Sequence, residues 1–382
     1  MPLIPGTVRL DAARLDGPER RSFAFANPRR VLRADDPHAV ADALAEAERA
    51  VHHGQYVAGV VTYEAGAALL GLPHRPPAPL PYVWLGVYDR PVNQPGPPSP
   101  AGSEGLVSNV RPLWDEAAYA ERHAEVQRLI REGDVYQINL TFPLTFGTAA
   151  SPEALYAALL ARQPVPFGAL LVLDDGLAVA SVSPELFFRL DGRTVTTRPM
   201  KGTRPRGATA AADDALRADL TASAKERAEN LMIVDLLRND LSVVCEPGSV
   251  VVPELFATES HPTLHQMTST VQGTVRPEAG LADLFAALFP SGSITGAPKR
   301  RAMQRIAALE TEPRGAYCGA IGAMGPGPDG PWASFSVAIR TATLHDGRGT
   351  LGVGSGVVWG ADAAAEYREC LLKARFLTDL AV

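Results

Sequence analysis

The sequence is poor in cysteine: Cys245, Cys318 and Cys370 are the only three in 382 residues, far apart and odd in number. No C-x-x-C pair suggests zinc and no disulfide framework is implied, which suits a reducing compartment. No apolar run reaches the roughly 18 residues that would span a bilayer, and Met1 to Leu10 lacks the apolar stretch of a signal peptide. A cytoplasmic protein without membrane attachment is expected. Positive charge is also in short supply. Lys+Arg 36 against Asp+Glu 42 gives a formal net charge of −6, which argues against nucleic acid as a partner, because that affinity comes largely from phosphate neutralisation. A small anionic substrate stays open, since one pocket can be positive on a negative protein. No internal repeat of about 20–50 residues is present.

What is there reads as globular, with 46% hydrophobic and 20% charged residues. Residues 91–105, from Pro91 through Pro95-Gly96-Pro97-Pro98 to Gly105, have the composition of a linker. They divide an N-terminal region, 1–105, from a catalytic region, 106–382, which are expected to pack as one globular unit. Helical spacing is predicted over Ala39–His52, Glu116–Glu132, Ser223–Asp235, Leu281–Leu288, Arg300–Leu309 and Ala363–Leu377. Strands are predicted over Tyr56–Tyr63, Tyr82–Tyr88, Ala169–Leu173, Leu177–Val182, Glu185–Leu190, Phe335–Thr343 and Leu351–Trp359. The strands come in groups rather than in strict alternation with helices, which favours α+β.

Several constellations can carry chemistry. Arg198-Pro199-Met200-Lys201-Gly202-Thr203-Arg204-Pro205-Arg206-Gly207 places one lysine on a segment whose prolines and glycines specify the backbone path. Read alone, Lys201 is a solvated loop lysine; aimed and neutral, it is a nucleophile. Glu226 and Glu229 share one helix face, as do Glu366 and Glu369, with Lys373 one turn on. These are either solvated faces or four oxygen ligands for Mg²⁺. The stretch Pro290-Ser291-Gly292-Ser293-Ile294-Thr295-Gly296-Ala297-Pro298-Lys299 leads into a helix. It lacks the G-x-x-x-x-G-K-[ST] spacing of a nucleotide loop but suits a small anion. Gly352-Val353-Gly354-Ser355-Gly356 is either a bulged strand or a place where backbone nears a ligand. Arg340, in the apolar run Ser336-Val337-Ala338-Ile339-Arg340, needs an anionic partner, structural or substrate. Glu185, in Ser183-Pro184-Glu185-Leu186, stands at a strand edge.

Taken together, in this order over roughly residues 115–378, these segments resemble the chorismate-utilising enzymes, whose branches form anthranilate, aminodeoxychorismate, isochorismate and salicylate. The blocks are Ser183 to Phe187, Lys201 to Gly207, Glu226 to Leu236, Gly292 to Lys299, Arg340 in its strand, and Glu366 to Lys373. The resemblance implies an α+β fold of two facing, mostly antiparallel sheets flanked by helices, with the active site between them. It also implies Mg²⁺, held by Glu229 and Glu369 directly and by Glu226 and Glu366 through water, and Glu185 as general acid/base. Arg340 and the backbone of Gly354, Ser355 and Gly356 would hold the pyruvyl carboxylate. Thr295 and Gly296 would lie near the ring carboxylate, and Gln137, Thr203 and Lys373 beside the substrate.

Two positions sort the branches within the resemblance. The isochorismate-forming members carry a water-activating lysine in the segment matching Val135-Tyr136-Gln137-Ile138-Asn139, where this chain has Gln137. The anthranilate branch has alanine at the position of Lys201, and the aminodeoxychorismate branch has lysine. Val61-Thr62-Tyr63-Glu64-Ala65 points to the same branch. The expectation is therefore conversion of chorismate and ammonia to 4-amino-4-deoxychorismate, on the route to 4-aminobenzoate and folate, through a covalent intermediate on Lys201. No cysteine has the G-x-C-x-G setting of a glutaminase, and with the sequence running to Val382 no appended lyase is expected. Ammonia is accordingly expected from a class I glutamine amidotransferase subunit. The alternatives are anthranilate synthesis and a non-catalytic binding subunit, against which the four carboxylates argue. Two departures from the family pattern stand out: Gln266 in place of a histidine, with His265 displaced by one, and Ala323 in place of a tyrosine.

Overall fold

The computed structural model describes residues 4–12, 22–92, 105–174, 176–260 and 264–381. Residues 93–104 of the expected linker lie outside the described residues.

Two large sheets, all of whose strand pairings are antiparallel, dominate the architecture. The first is nine-stranded, and its path runs from the short strand Gly296–Ala297 through Gln137–Gly147, Arg348–Val357, Thr341–His345, Ala178–Ser183 and Phe167–Val172 to Thr7–Asp11 and Phe23–Phe25. The second is ten-stranded. It runs from Met200–Pro205 through Leu264–Thr274, Thr194–Arg198, Leu186–Asp191, Trp332–Val337 and Ala320–Gly325 to Tyr56–Val61, Val83–Tyr88 and Arg30–Ala34. The class is α+β, as the grouping of strands predicts. The N-terminal strands are not set apart: Tyr56–Val61 pairs with Ala320–Gly325, and Thr7–Asp11 pairs with Phe167–Val172.

The strands Tyr56–Val61 and Val83–Tyr88 are nearly continuous apolar runs because both their faces are buried. Strand period two sends alternate residues to different cores. Ala58, Val60 and Trp84 join Val8, Phe25, Leu171 and Val179 from the other sheet in a core between the sheets. Val57, Val61 and Leu85 point outward to the larger core, where they meet Leu44 and Ala47 of the helix Val40–His52. Each sheet is thus packed against its partner on one face and against helices on the other.

Two of the points at which the chain passes from one sheet to the other are neighbours. It leaves the first sheet at Ser183 and enters the second at Leu186, with Pro184 and Glu185 between. It returns from Val337 to Thr341, with Arg340 in the link. The apolar run Phe335–Thr343 reads as one strand but is two, broken by Arg340 at φ +53°. Each half is apolar because each lies in a different buried sheet, so hydrophobicity does not mark the break. The two crossings hold each other: Val337 N donates to Glu185 O at 3.0 Å, Val182 N to Arg340 O at 3.1 Å, and Ser183 Oγ to Val337 O at 2.5 Å.

The helices that carry the acidic pairs are both capped at their first turn. Ser223 Oγ accepts from Glu226 N at 3.4 Å before the helix Ala224–Ser242. Asp362 Oδ1 accepts from Ala365 N at 2.8 Å before Ala363–Lys373. Glu226 and Glu366 therefore sit where the helix dipole favours negative charge. No helix among the described residues is long and apolar enough to cross a membrane.

A buried arginine joins these parts. Arg314 Nε and Nη2 donate to Glu310 Oε2 and Oε1 at 2.9 and 2.7 Å, Nη1 to Ile294 O at 2.8 Å, and Nη2 to Asn139 O at 2.7 Å. Its plane lies 4.4 Å over the Tyr63 ring, and its backbone N–H donates to Glu64 Oε1 at 2.7 Å. Glu310 Oε1 also accepts from Thr141 N and Oγ1, both at 2.9 Å. Removing the cation leaves Glu310 buried and unpaired, a loss of about 3–5 kcal/mol. Arg314→Met is expected to lower urea-unfolding stability by that amount. Adding Glu310→Gln should recover part of it; a Met variant as stable as the parent would remove this network from the account of the fold.

Candidate active site

Lys201 lies on the edge strand Met200–Pro205, not on the free turn that its prolines and glycines suggest. The strand is bulged at the lysine: Met200 pairs with Thr268, and pairing resumes only at Thr203 with Gln266. Gly202 takes φ +84°, a conformation that glycine adopts without steric cost. A Cβ there would meet Glu226 Cβ and Oε2, each at 3.0 Å, so the bulge packs directly on the first acidic residue. Gln266 clamps it, donating from Nε2 to Gly202 O at 2.7 Å and accepting from Thr203 Oγ1 at 3.1 Å. Thr203 itself is exposed. His265, on the other face of its strand, is buried between Asp213, 3.0 Å away, and Ser260, 2.8 Å away.

The amine of Lys201 points across to the first sheet. A Cβ on Gly356 would lie 3.5 Å from Lys201 Nζ and 2.8 Å from Gln137 Nε2, so these two side chains converge over a glycine that leaves them room. Gln137 is buried, and its Nε2 has no hydrogen-bond partner among the described residues. The glycine-rich strand keeps regular pairing here, Gly356 with Asn139 and Ser355 with Leu140, without a bulge. Ser355 Oγ lies 2.9 Å from Tyr119 Oη. Lys373 Nζ donates to Gly354 O at 3.0 Å and pairs with Glu369 at 2.7 Å. The loop before the helix Lys299–Leu309 closes the same end: Asn139 N donates to Thr295 O at 2.8 Å. Gly296 approaches so closely that a Cβ would lie 2.2 Å from Gln137 O.

Burial governs the charges. Glu185 is buried, and that burial pushes its carboxyl up to about 7, against the opposing effects of the Ser293 hydroxyl and the Lys201 charge. Desolvation holds the Lys201 amine below its ordinary value, helped by the Lys373 charge and opposed by Glu185, Glu229 and Glu369. Arg340 is lowered to about 10 by desolvation alone, and its guanidinium has no anionic partner among the described residues. It lines a cavity of about 700 Å³ with Leu186, Met200, Gln266, Thr268 and Lys373.

The four acidic residues come together from the two capped helices. Burial raises the Glu229 carboxyl, with Glu226 and Glu366 adding repulsion; burial and then Glu369 raise Glu366. Among the described residues no three or more acidic, histidine or cysteine side chains are grouped so as to hold a metal ion. Glu226 and Glu369 are paired instead with Arg204 and Lys373, at 3.3 and 2.7 Å; as oxygen donors the four glutamates are of the type that Mg²⁺ takes together with several waters.

The structure therefore brings together Lys201, Glu185, Gln137, Thr295, Gly296, Arg340, Gly354, Ser355, Gly356, Lys373 and the four glutamates, with Thr203 on the outer side of the bulge. Ala323 is elsewhere: it lies in the core between the sheets and lines a small cleft with Phe23, Gly168 and Trp332. The sequence reading passed over Ser293, Arg314 and Glu310, whose roles depend on contacts between distant segments.

The Glu185 assignment has a thermodynamic consequence. An unfolded glutamate titrates near 4.3, whereas this one titrates at about 7 in the folded chain. Between those values the unfolded state releases its proton and the folded state keeps it, so stability falls as pH rises, and the full cost remains above pH 7. Glu185→Gln lacks that cost. Its Tm is expected to exceed that of the parent by a few degrees at pH 8, with the difference vanishing toward pH 4. Calorimetry across that range checks it, and a variant less stable at pH 8 would contradict the burial argument.

Residues 12–379 match the model of the chorismate binding enzyme family. The chain is 41% identical over 298 residues to anthranilate synthase component 1 of Streptomyces coelicolor, covering 78% of this chain and 56% of that protein. It is 40% identical over 293 residues to aminodeoxychorismate synthase component 1 of Klebsiella aerogenes, covering 75% and 61%. The alignments thus span little more than half the length of these relatives. The solved structure of anthranilate synthase component I from Streptococcus pneumoniae superposes with a TM-score of 0.78 at 25% identity, over 98% of this chain and 93% of that one. With its sheets, crossings and converging side chains in place, the chain belongs to the chorismate binding enzyme family.

Proposed function

We propose that this chain converts chorismate and ammonia to 4-amino-4-deoxychorismate, with Mg²⁺ as cofactor and Lys201 as covalent nucleophile. The observation that carries the reading is a lysine whose amine is desolvated and aimed between Gln137 and Gly356, in a site where Glu185 is poised near neutrality. A solvated lysine is neutral in only about one molecule in a few thousand at pH 7, a deficit of roughly 4–5 kcal/mol; the burial of Lys201 reduces it.

The reaction runs in two displacements. Lys201 Nζ bonds to ring carbon 2, the ring double bonds shift, and the carbon 4–oxygen bond breaks as Glu185 gives its proton to the departing hydroxyl, which leaves as water. Ammonia then bonds to carbon 4, the double bonds shift back, and the lysine leaves carbon 2. One difficult substitution becomes two easier ones. Arg340 holds the pyruvyl carboxylate, with backbone around Gly354 and Gly356, while Thr295 and Gly296 lie at the ring carboxylate. Glu229 and Glu369 would hold Mg²⁺, with Glu226 and Glu366 on its waters, and the ion would supply positive charge for the ring carboxylate. Gln137 cannot serve as a base for water, which leaves ammonia as the second nucleophile. A class I glutamine amidotransferase subunit supplies that ammonia; the component 1 designation of the relatives supports a partner.

A second reading, anthranilate formation, is favoured by similar identity to synthases of both kinds. Identification of the product from chorismate, Mg²⁺ and an ammonium salt by mass and absorbance separates the two.

Lys201→Ala is expected to slow aminodeoxychorismate formation by about two orders of magnitude or more. Parent protein incubated with chorismate without ammonia should gain, on the peptide containing Lys201, the mass of chorismate less one water. Undiminished turnover in the alanine variant, or an unmodified peptide, would count against the covalent route.

The metal assignment is tested separately. Glu229→Gln should retain its circular dichroism spectrum but lose the Mg²⁺-dependent part of chorismate binding, weakening it about tenfold or more in calorimetric titrations. Binding that responds to Mg²⁺ as in the parent would remove Glu229 from the metal site.

A further inference from the structure

Two buried hydroxyls stand behind Glu185, and the reaction as proposed does not use them. Ser293 Oγ donates to Glu185 Oε1 at 2.6 Å. Ser291 Oγ lies 3.0 Å from Ser293 Oγ. All three residues are buried. The direction of the chain follows from valence. A hydroxyl has one proton, and Ser293 commits its own to Glu185; its lone pair then accepts from Ser291.

The turn carrying these serines, Gly292–Ile294, is firmly placed. Thr295 Oγ1 donates to Ser291 O at 3.0 Å, and Arg314 Nη1 donates to Ile294 O at 2.8 Å. Gly292 packs so closely on the helix Ala224–Ser242 that a Cβ would lie 2.0 Å from Leu236 Cδ2. On its other side Glu185 is fixed by its backbone: its N–H donates to Ser183 Oγ at 3.2 Å, and its carbonyl accepts from Val337. Lys201 is the charged side chain that acts on the carboxyl, and the serine turn faces it with hydroxyls.

We propose that Ser293, backed by Ser291, is the positioning residue for the acid of the reaction, pinning Oε1 of Glu185 so that the transferable proton resides on Oε2. The inference rests on the reading of Glu185 given above. A carboxyl oxygen that accepts a hydroxyl proton acts as the carbonyl oxygen of the neutral acid, so the acid proton occupies the other oxygen. In the first displacement the Oε2–H bond breaks and its proton goes to the departing oxygen of carbon 4. The electron pair left on Glu185 is stabilised by the Ser293 hydroxyl, whose own proton stays in place. A hydrogen bond to the charged form favours that form, and charge-assisted bonds of this kind are the strong ones. Ser293 therefore assists most when the proton has left, which is where assistance accelerates the step.

The test uses the full chain with Ser293→Ala, Ser293→Thr and Ser291→Ala. The carboxyl of Glu185 is titrated by infrared difference spectroscopy on protein labelled with ¹³C-glutamate, the band being assigned by its loss in Glu185→Gln. Ser293→Ala should move the midpoint upward by about one pH unit, and Ser293→Thr, which keeps the hydroxyl, should return it to the parent value. Ser291→Ala should move it the same way by less, and decides the matter if Ser293→Ala does not fold. In turnover with ammonium, Ser293→Ala should lower kcat about ten- to a hundredfold, leave KM for chorismate within about twofold, and shift the alkaline limb upward with the carboxyl. An unmoved midpoint in the alanine variants overturns the role of Ser293 even if chorismate is consumed as proposed. A parent chain that does not consume chorismate overturns the reaction instead, while the carboxyl titration still decides what Ser293 does.

Discussion

The site depends on one constraint: two of the places where the chain passes between the sheets, 183–186 and 337–341, must lie side by side. Each crossing leaves one ladder before joining the next. They satisfy each other, Val337 N to Glu185 O and Val182 N to Arg340 O, and so avoid the cost of unpaired buried peptide groups. A consequence is that an acid and a cation, Glu185 and Arg340, are carried to the same inter-sheet gap on irregular backbone held as firmly as a strand. The positive φ of Arg340 belongs to this arrangement; it turns the chain from one sheet into the other within a few residues.

Around that gap the same physical effect acts in opposite directions on opposite charges. Removal from water disfavours the charged form of any group, so it raises Glu185 and lowers Lys201. A carboxyl that can hold a proton near neutrality and an amine that can lose one are the two states that proton donation and nucleophilic attack require. Both cost stability, and the Arg314 cluster supplies rigidity nearby. There the ion pair is complete, with Glu310 and two carbonyls satisfying the guanidinium. Those carbonyls belong to Asn139 and Ile294, next to the strand of Gln137 and the turn of Ser293 and Thr295. A fully paired buried charge thus fixes the walls within which incompletely paired ones can act.

Much of this was legible in the sequence. The acidic pairs at three-residue spacing sit on helices with recognisable caps, Ser223 and Asp362, and the structure brings the two pairs together. Most of the expected strands and helices are found with small shifts of boundary, but the helix expected to end at Asp235 runs on to Ser242, and the last one breaks after Lys373. Two readings failed for definite reasons. Phe335–Thr343 is apolar on both sides of Arg340, because both sheets are buried there, so composition could not show that the chain changes sheets. Proline and glycine around Lys201 read as a turn, but pairing with Leu264–Thr274 makes the segment a bulged edge strand, the context that tolerates both residues. Ser293 and Arg314 left no local signal; 108 residues separate Ser293 from Glu185 and 175 separate Arg314 from Asn139. The serine could have been suspected only from its place in the glycine-rich block.

The groups that the fold leaves unpaired describe what it lacks. Among the described residues Arg340 has no anionic partner and Gln137 Nε2 no acceptor, and burial lowers the charge affinity of Lys201. A buried donor without a partner costs about 1–3 kcal/mol, more when it is charged, and Arg340 lines a cavity of about 700 Å³. Under the proposed reaction, the ligand brings one anionic group to Arg340 and an electrophilic carbon within reach of Lys201. It also bears a second anion, for the Mg²⁺ that the glutamates of the two helices would hold. A compact ring carrying two carboxylates on opposite sides, the substrate of the proposed reaction, meets these demands at once.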